Sequence, residues 1–400
     1  MLKRVALAGL LILLVLGGAF WFSLDKDQRA LIATMPTDRD VLFWSREQRD
    51  AAFRILDAMP ILVDARVIQA GGKVYPLPQG ELLDLEIDDY MDSQHSAAVV
   101  IVHDGKIVLE KYGLGFGPDG KWTSFSVAKS LTSTLVGAAM KDGYIESLDD
   151  PVSRYIEGLA GSEYDKVTIR QLLTMTSGVR WNEDYEDPDS DVAQFNEHEA
   201  QDGLDATVSY MRGLGRDAPP GERWLYNTGE TNLIGVLVSE ATGKPIADYL
   251  SEKIWAPFGM QQDATWLLGS TGHEISGCCI QAATRDMARF GLFILGGGKA
   301  GGKAVLPDGW IEQATTRQAD IGIPGEGYGY QWWTNADGSF AAQGIFGQGI
   351  FIDPARKLVI ASNGNWSRAD EGPEVAEREA FYRKVQAAID ARSAGAPATE

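Results

Sequence analysis

The sequence predicts an α+β protein in which one antiparallel sheet is built from both ends of the chain, flanked by helices, with a mostly helical lobe inserted between the two sheet-forming parts. Three observations carry that expectation. Ala97 to His103 is a run of Ala, Val and Ile; the Asp104-Gly105 turn and the near-alternating Lys106 to Tyr112 complete a two-residue hairpin. The middle of the chain has helical periodicity: between Ser124 and Lys141 the apolar Val127, Leu131, Leu135, Val136 and Met140 share a face, and Thr123 or Ser124 can cap the start. Further helical stretches follow at 168–176, 206–213, 231–241, 246–254 and 283–295, punctuated by Gly and Pro. Strand patterns return over 329–334, 340–345, 349–353 and 358–362, with Asp337-Gly338 as a turn, ahead of an amphipathic helix from Pro373 to Ala391. The main domain is expected over 76–395, its sheet lobe at 76–122 and 325–395 and its helical lobe at 123–324. The cleft between lobes is the expected site.

At the amino terminus Lys3 and Arg4 precede Val5 to Phe22, an apolar stretch of 18 residues followed by Asp25, Lys26 and Asp27. That length just spans a bilayer, and Phe20-Trp21-Phe22 has the composition of an interface belt. Residues 1–25 are read as an uncleaved membrane anchor or, alternatively, a cleaved signal, and 26–75 as a linker or stalk packing on the body. Either way the remainder is expected outside the cytoplasm, in the periplasm.

Composition excludes several functions. The chain has 400 residues, 44% of them hydrophobic, and a net charge of −20, which repels phosphate backbones and argues against a nucleic-acid partner. Four histidines (His95, His103, His198 and His273) show no metal-ligand spacing, so no metal or other cofactor is expected. Cys278 and Cys279 are adjacent, with Cα atoms about 3.8 Å apart, short of the usual disulfide span. They are expected to be small buried hydrophobes.

The chemistry centres on Ser126-Val127-Ala128-Lys129, which places a hydroxyl and an amine three residues apart on one helix face. At a helix start the dipole favours an alkoxide and disfavours a charged lysine, so a desolvated Lys129 can take the proton of Ser126 without any histidine. Ser23-Leu24-Asp25-Lys26 repeats the spacing beside the apolar terminus, with no cleft to serve. The plainer alternative is that Ser126 only caps the helix. A second element is Tyr226, in the turn from Pro220 to Gly229 that leads into a helix. Its phenol is either a packed aromatic or a proton relay, the latter favoured if Lys129 lowers its pKa.

Ser126 to Lys129, Tyr226 with Thr228, and Gly344-Ile345-Phe346-Gly347-Gln348-Gly349 ahead of Asp353-Pro354 resemble the three ordered motifs of the serine β-lactamase and penicillin-recognising superfamily, which includes the DD-peptidases. The similarity covers about Ala97 to Ser362, with Arg285-Asp286-Met287-Ala288-Arg289 and Tyr330-Gln331-Trp332-Trp333, and fits the class C, carboxylesterase and 6-aminohexanoate-dimer hydrolase branch. Asn182-Glu183-Asp184-Tyr185 with Asp187-Pro188 is similar to the nylon-oligomer hydrolases, so Tyr185 is implied to contact a scissile amide nitrogen, or else is a packed loop tyrosine. The resemblance implies acylation of Ser126, proton work by Lys129 and Tyr226, and an oxyanion held by the Ser126 N–H and one from Gly347, Gln348 or Gly349. Phe346-Gly347-Gln348 stands where β-lactamases and peptidoglycan peptidases carry Lys-Thr-Gly, which weighs against a β-lactam or D-Ala-D-Ala substrate.

Ten acids from Glu183 to Asp205 face no Lys or Arg between Arg180 and Arg212, half of the net −20. They read either as a rim that attracts amine-bearing substrates or as a solvated loop. The expected function is a serine hydrolase cleaving a small linear amide or ester. The alternatives are a β-lactamase or DD-peptidase, or a non-catalytic cell-envelope binding protein on the same fold.

Overall fold

A computed structural model describes residues 14–34, 41–58 and 64–395. Its main sheet has seven strands: β1 (Ser96–His103), β2 (Lys106–Tyr112), β3 (Glu326–Tyr328), β4 (Trp333–Asn335), β5 (Phe340–Gly344), β6 (Gln348–Asp353) and β7 (Leu358–Gly364). They lie in the order β2-β1-β7-β6-β5-β4-β3, every pair antiparallel. The two ends of the chain meet where β7 pairs with β1, Ile360 opposite Ile101, so the sheet is closed from both termini as its alternating apolar runs require.

Five helices bear on the site: α1 (Arg46–Ile55), α2 (Val127–Asp142), α3 (Thr228–Thr242), α4 (Thr284–Leu295) and α5 (Pro373–Gly395). Alternate strand residues point to opposite faces. Val99, Ile101, Phe351 and Ile360 meet Phe381, Tyr382, Val385 and Ile389 of α5. Val100, Val102, Ile350, Ile352 and Val359 face the interior with Phe290 and Phe293 of α4. The stretch 283–295 was expected in the helical lobe; α4 instead lies flat on the sheet. The reason is Gly291: a Cβ there would stand 2.5 Å from Val359 Cγ1, so only the bare backbone lets the helix come this close.

A second antiparallel sheet of four strands runs in the order Ala65–Ile68, Ala264–Leu267, Ile280–Ala282, Trp122–Thr123. The segment read as a stalk therefore supplies an edge strand, and it also supplies α1. Phe53 of α1 is fully buried, with its ring centroid 5.6 Å from Trp122, 5.0 Å from Phe125 and 5.7 Å from Phe346. Arg49, one turn earlier, donates to Asn365 Oδ1 at 2.9 Å and to the Trp366 carbonyl at 2.8 Å and lies over the Phe346 ring. The segment is a floor under the turn that carries Ser126.

The apolar run of the terminus begins outside the described residues; its described part is helical over 14–23. Among the described residues no helix is long and apolar enough to cross a membrane.

Helical lobe and sheet are joined by Gln331, a buried residue at φ 62 between β3 and β4. Its carbonyl accepts from Ser130 Oγ at 2.6 Å, its amide oxygen accepts from Thr231 Oγ1 at 2.7 Å, and its amide nitrogen donates to the Leu172 carbonyl at 3.2 Å. One residue, through its backbone carbonyl and its side chain, thus ties α2, α3 and the 169–173 segment to the sheet.

Two stability predictions follow from this packing. Phe53→Ala should lower unfolding free energy by roughly 3–5 kcal/mol, read by denaturant titration; a loss within experimental error would show that α1 is not a floor. Glu230, buried in the first turn of α3 beside the Tyr164 hydroxyl, has its carboxyl pushed up to about 8 by burial. A raised folded-state value means the stability it contributes is complete below the unfolded value near 4.3 and is lost as pH rises toward 8. Glu230→Gln should therefore gain on the wild type by a few kcal/mol between pH 5 and 8, and parallel stability curves over that range would refute the assignment.

Candidate active site

The small sheet delivers the chain to Ser126. Ser124 N–H donates to the Ile280 carbonyl at 2.8 Å, and Ile280 N–H donates back to Ser124 Oγ at 3.0 Å. The Ser124 hydroxyl is thereby tied across to the 280 strand, so it does not cap α2 as expected. Phe125 then turns at φ 41, a strained region for a side chain with a Cβ, held by its burial between Phe53 and Phe346. Ser126 takes the N-cap position of α2 and makes no side-chain cap bond. Its hydroxyl is free for Lys129.

Lys129 Nζ has three partners: Ser126 Oγ at 3.0 Å, Thr228 Oγ1 at 3.0 Å and the Gly277 carbonyl at 2.8 Å. The residue is only 1% exposed. Desolvation pulls its ammonium down to about 8, partly opposed by the negative charge of Glu183, which is the direction the sequence predicted. The Ser23 to Lys26 repeat is nowhere near: Ser23 bonds to the Phe20 carbonyl and Lys26 to the Gly115 carbonyl.

Gly277 is followed by Cys278 and Cys279, which form a disulfide between neighbours. This corrects the expectation of two free buried thiols. The Cα atoms are 3.7 Å apart, and the backbone at Cys279 is left-handed, φ 76.

Tyr226 lies beside Ser126, and Lys129 Nζ lies 5.2 Å from its ring centroid. The ring stacks on Trp333 at 5.6 Å, beside Trp224 and Tyr328. Lys129 was expected to lower the phenol's pKa; burial and the charge of Glu183 raise it instead. Tyr226 therefore stays protonated and acts as a donor.

Tyr185 lies half-buried, its hydroxyl donating to Glu183 Oε1 at 2.7 Å. Glu183 is the residue sequence reasoning missed: it stood in the Asn182 to Tyr185 motif and among the loop acids, with no role of its own at the site. Its carboxylate also takes the Thr228 N–H at 2.9 Å, the Thr228 hydroxyl and the Trp181 indole N–H. A signal existed: Trp181, Glu183 and Tyr185 alternate with the exposed Asn182, Asp184 and Glu186, as on an extended segment with one face turned inward. Several other acids of the stretch close local turns or caps: Asp184 accepts from Glu186 N–H, Asp187 from Asp189 N–H and Asp205 from Thr207 N–H, while Glu186 pairs with Arg368.

The third motif meets the nucleophile at its first residue. A Cβ on Gly344 would lie 2.7 Å from the Ser124 carbonyl oxygen, whereas one on Gly347 would strike Trp366 and one on Gly349 would meet Tyr382. Gln348 is buried, its amide bonded to the Ile345 and Gly364 carbonyls and to Gly364 N–H. Gly344 stands against the Ser126 turn, while the Cα of Gly347 faces Trp366 and that of Gly349 faces Tyr382.

A sheet closed from both chain ends, a helical lobe and a buried Ser-Lys-Tyr cluster between them define the β-lactamase-type serine hydrolases, and the β-lactamase family model matches residues 83–384. The chain belongs to that family. It is 30% identical over 323 residues to the 6-aminohexanoate-dimer hydrolase of Paenarthrobacter ureafaciens, covering 76% of this chain and 82% of that one. A β-lactamase of Pseudomonas fluorescens is 26% identical over 191 residues, 45% of this chain and 49% of its own length. A solved structure from Bacillus anthracis, described as a candidate 6-aminohexanoate-dimer hydrolase, superposes with a TM-score of 0.76 at 24% identity, covering 89% of this chain and 99% of that one.

If free Lys129 is the base, kcat/KM should rise with pH through an acid limb near 8, because the amine must lose its proton before it can accept one from Ser126. Lys129→Met should remove at least about 99% of turnover. A limb below pH 6 in the wild type would show that another group is the base.

Proposed function

We propose that the protein cleaves a small linear amide, and more readily the corresponding ester, through an acyl-Ser126 intermediate. The observation that carries this reading is the 3.0 Å contact between Ser126 Oγ and a lysine amine removed from water. In the acylation step Ser126 Oγ attacks the carbonyl carbon while Lys129 takes the hydroxyl proton. The proton passes through the protonated Tyr226 to the leaving nitrogen or oxygen as the carbon–heteroatom bond breaks. Water then attacks the acyl ester by the same route in reverse, restoring Ser126. The Ser126 N–H at the helix start and the backbone at Gly344 are placed to receive the oxyanion.

Several features narrow the substrate. Phe346-Gly347-Gln348 stands in place of the Lys-Thr-Gly whose cation fixes a carboxylate in β-lactam and D-Ala-D-Ala enzymes, which favours a linear substrate without that carboxylate. Burial raises the Asp370 carboxyl, with the charges of Glu371, Glu183 and Asp184 adding to it, and burial likewise raises Tyr185 and Tyr226, with Glu183 and Asp370 adding to it. This negative mouth supports an amine-bearing substrate. The name of the Paenarthrobacter relative, an amino-acid dimer hydrolase, agrees with it. Lys3 and Arg4 ahead of the apolar run Val5 to Phe22 support a place outside the cytoplasm.

A fluorophosphonate probe should label the wild type and not Ser126→Ala; equal labelling of both would sink the mechanism. With p-nitrophenyl esters and short amides as paired substrates, Tyr185→Phe should lose roughly tenfold or more on amides and little on esters. Equal loss on both would remove Tyr185 from amide recognition.

A further inference from the structure

Glu183 receives four hydrogen bonds: on Oε1 from the hydroxyls of Tyr185 and Thr228, on Oε2 from Thr228 N–H and the Trp181 indole. Each carboxylate oxygen offers about two acceptor positions, so the group is filled and cannot also bind substrate. Its importance lies in which way it turns its neighbours' protons.

A hydroxyl has one hydrogen. Because Thr228 donates its hydrogen to Glu183, its oxygen can only accept from Lys129, at 3.0 Å. The Gly277 carbonyl, at 2.8 Å, is likewise an acceptor only. A neutral Lys129 amine has two N–H bonds and one lone pair. Both N–H bonds are claimed by Thr228 and Gly277, and the lone pair is left facing the third partner, Ser126 Oγ at 3.0 Å. The Tyr185 hydroxyl obeys the same rule: donating to Glu183, it presents only oxygen lone pairs to the cleft, the arrangement that accepts from an amide N–H. An ester has no such hydrogen.

We infer that Glu183 is the positioning residue of this site, a single carboxylate that orients the Thr228 hydroxyl and thereby the Lys129 lone pair on one side, and the Tyr185 hydroxyl toward an amide N–H on the other. The inference rests on the amide-hydrolase reading and extends it by naming what sets amide over ester. The titratable groups around this chain are Glu183 and Tyr226 beside Lys129, and Tyr185, Tyr226, Tyr328 and Asp370 around Glu183. Glu183 is the group whose charge supports the ammonium of Lys129.

The test is Glu183→Gln in the full chain, with pH profiles on a matched amide and ester. An uncharged amide in place of the carboxylate must turn one N–H toward a hydroxyl that now lacks an acceptor. Amide kcat should fall roughly 10- to 100-fold with KM within about twofold, ester kcat should fall less, and the acid limb should move about one pH unit lower. A merely structural role would not move that limb. If circular dichroism shows Glu183→Gln unfolded, Thr228→Val breaks the same chain one link nearer to Lys129 and should shift the limb in the same direction. A folded Glu183→Gln or Thr228→Val with a wild-type limb overturns the inference. So does a Glu183→Gln that loses amide and ester turnover equally. A wild type that turns over no amide or ester and takes no fluorophosphonate label overturns the functional reading itself, which separates the two failures.

Discussion

An ammonium taken from water into a protein interior loses hydration that only exact pairing can replace, and Lys129, at 1% exposure, sits at that limit. Three oxygens meet it, from α2, from the start of α3 and from the Gly277 loop. Placing those three oxygens around one nitrogen constrains the rest of the molecule. The Gly277 loop must lead directly into a strand paired with Trp122–Thr123, so that it and the Ser126 turn share one small sheet. Helix α3 must begin at Thr228, which the Asn227 cap fixes by accepting from Glu230 N–H at 3.0 Å. Gln331 then holds α2, α3 and the sheet in one register.

The aromatic environment serves the same end. Phe53, Trp122, Phe125 and Phe346 form a wedge below the turn at Phe125, so that backbone strain at φ 41 is sustained by burial. Tyr226, Trp224, Tyr328 and Trp333 form a second cluster that shields the phenol and keeps it protonated. With the base loosened to about 8 and the acid kept neutral, the two groups divide the proton work without histidine.

Motifs noted in the sequence as family marks prove to be joints. Arg285 forks onto both carboxylate oxygens of Glu110, Asp286 accepts from the Gln261 and Gln262 N–H groups, and Arg289 reaches Asp286 and the Tyr75 carbonyl. They lock α4 to the sheet and to the long connection from the N-terminal segment. That segment was legible only as a mixture of charge and apolar clusters, because its partners lie far along the chain: Arg49 bonds to Asn365 and Trp366, and Ala65–Ile68 pairs with Ala264–Leu267.

What the amino-acid order determines by itself is whatever short-range physics encodes. The Asp104-Gly105 hairpin, the period-two strands, the spacing of Ser126 and Lys129 on one helix face and the lack of metal-ligand spacing all depend on residues close in sequence. What only the tertiary structure decides is direction and environment. It raises rather than lowers the Tyr226 phenol, joins Cys278 to Cys279, lays α4 on the sheet, and brings Gly344 against the Ser126 turn. It also turns Glu183 out of a run of acids and into the centre of the site, because the partners that fill its four acceptor positions include Thr228, 45 residues away in sequence. Burial and hydrogen-bond polarity are set by groups that meet only on folding, and a linear pattern holds no record of them.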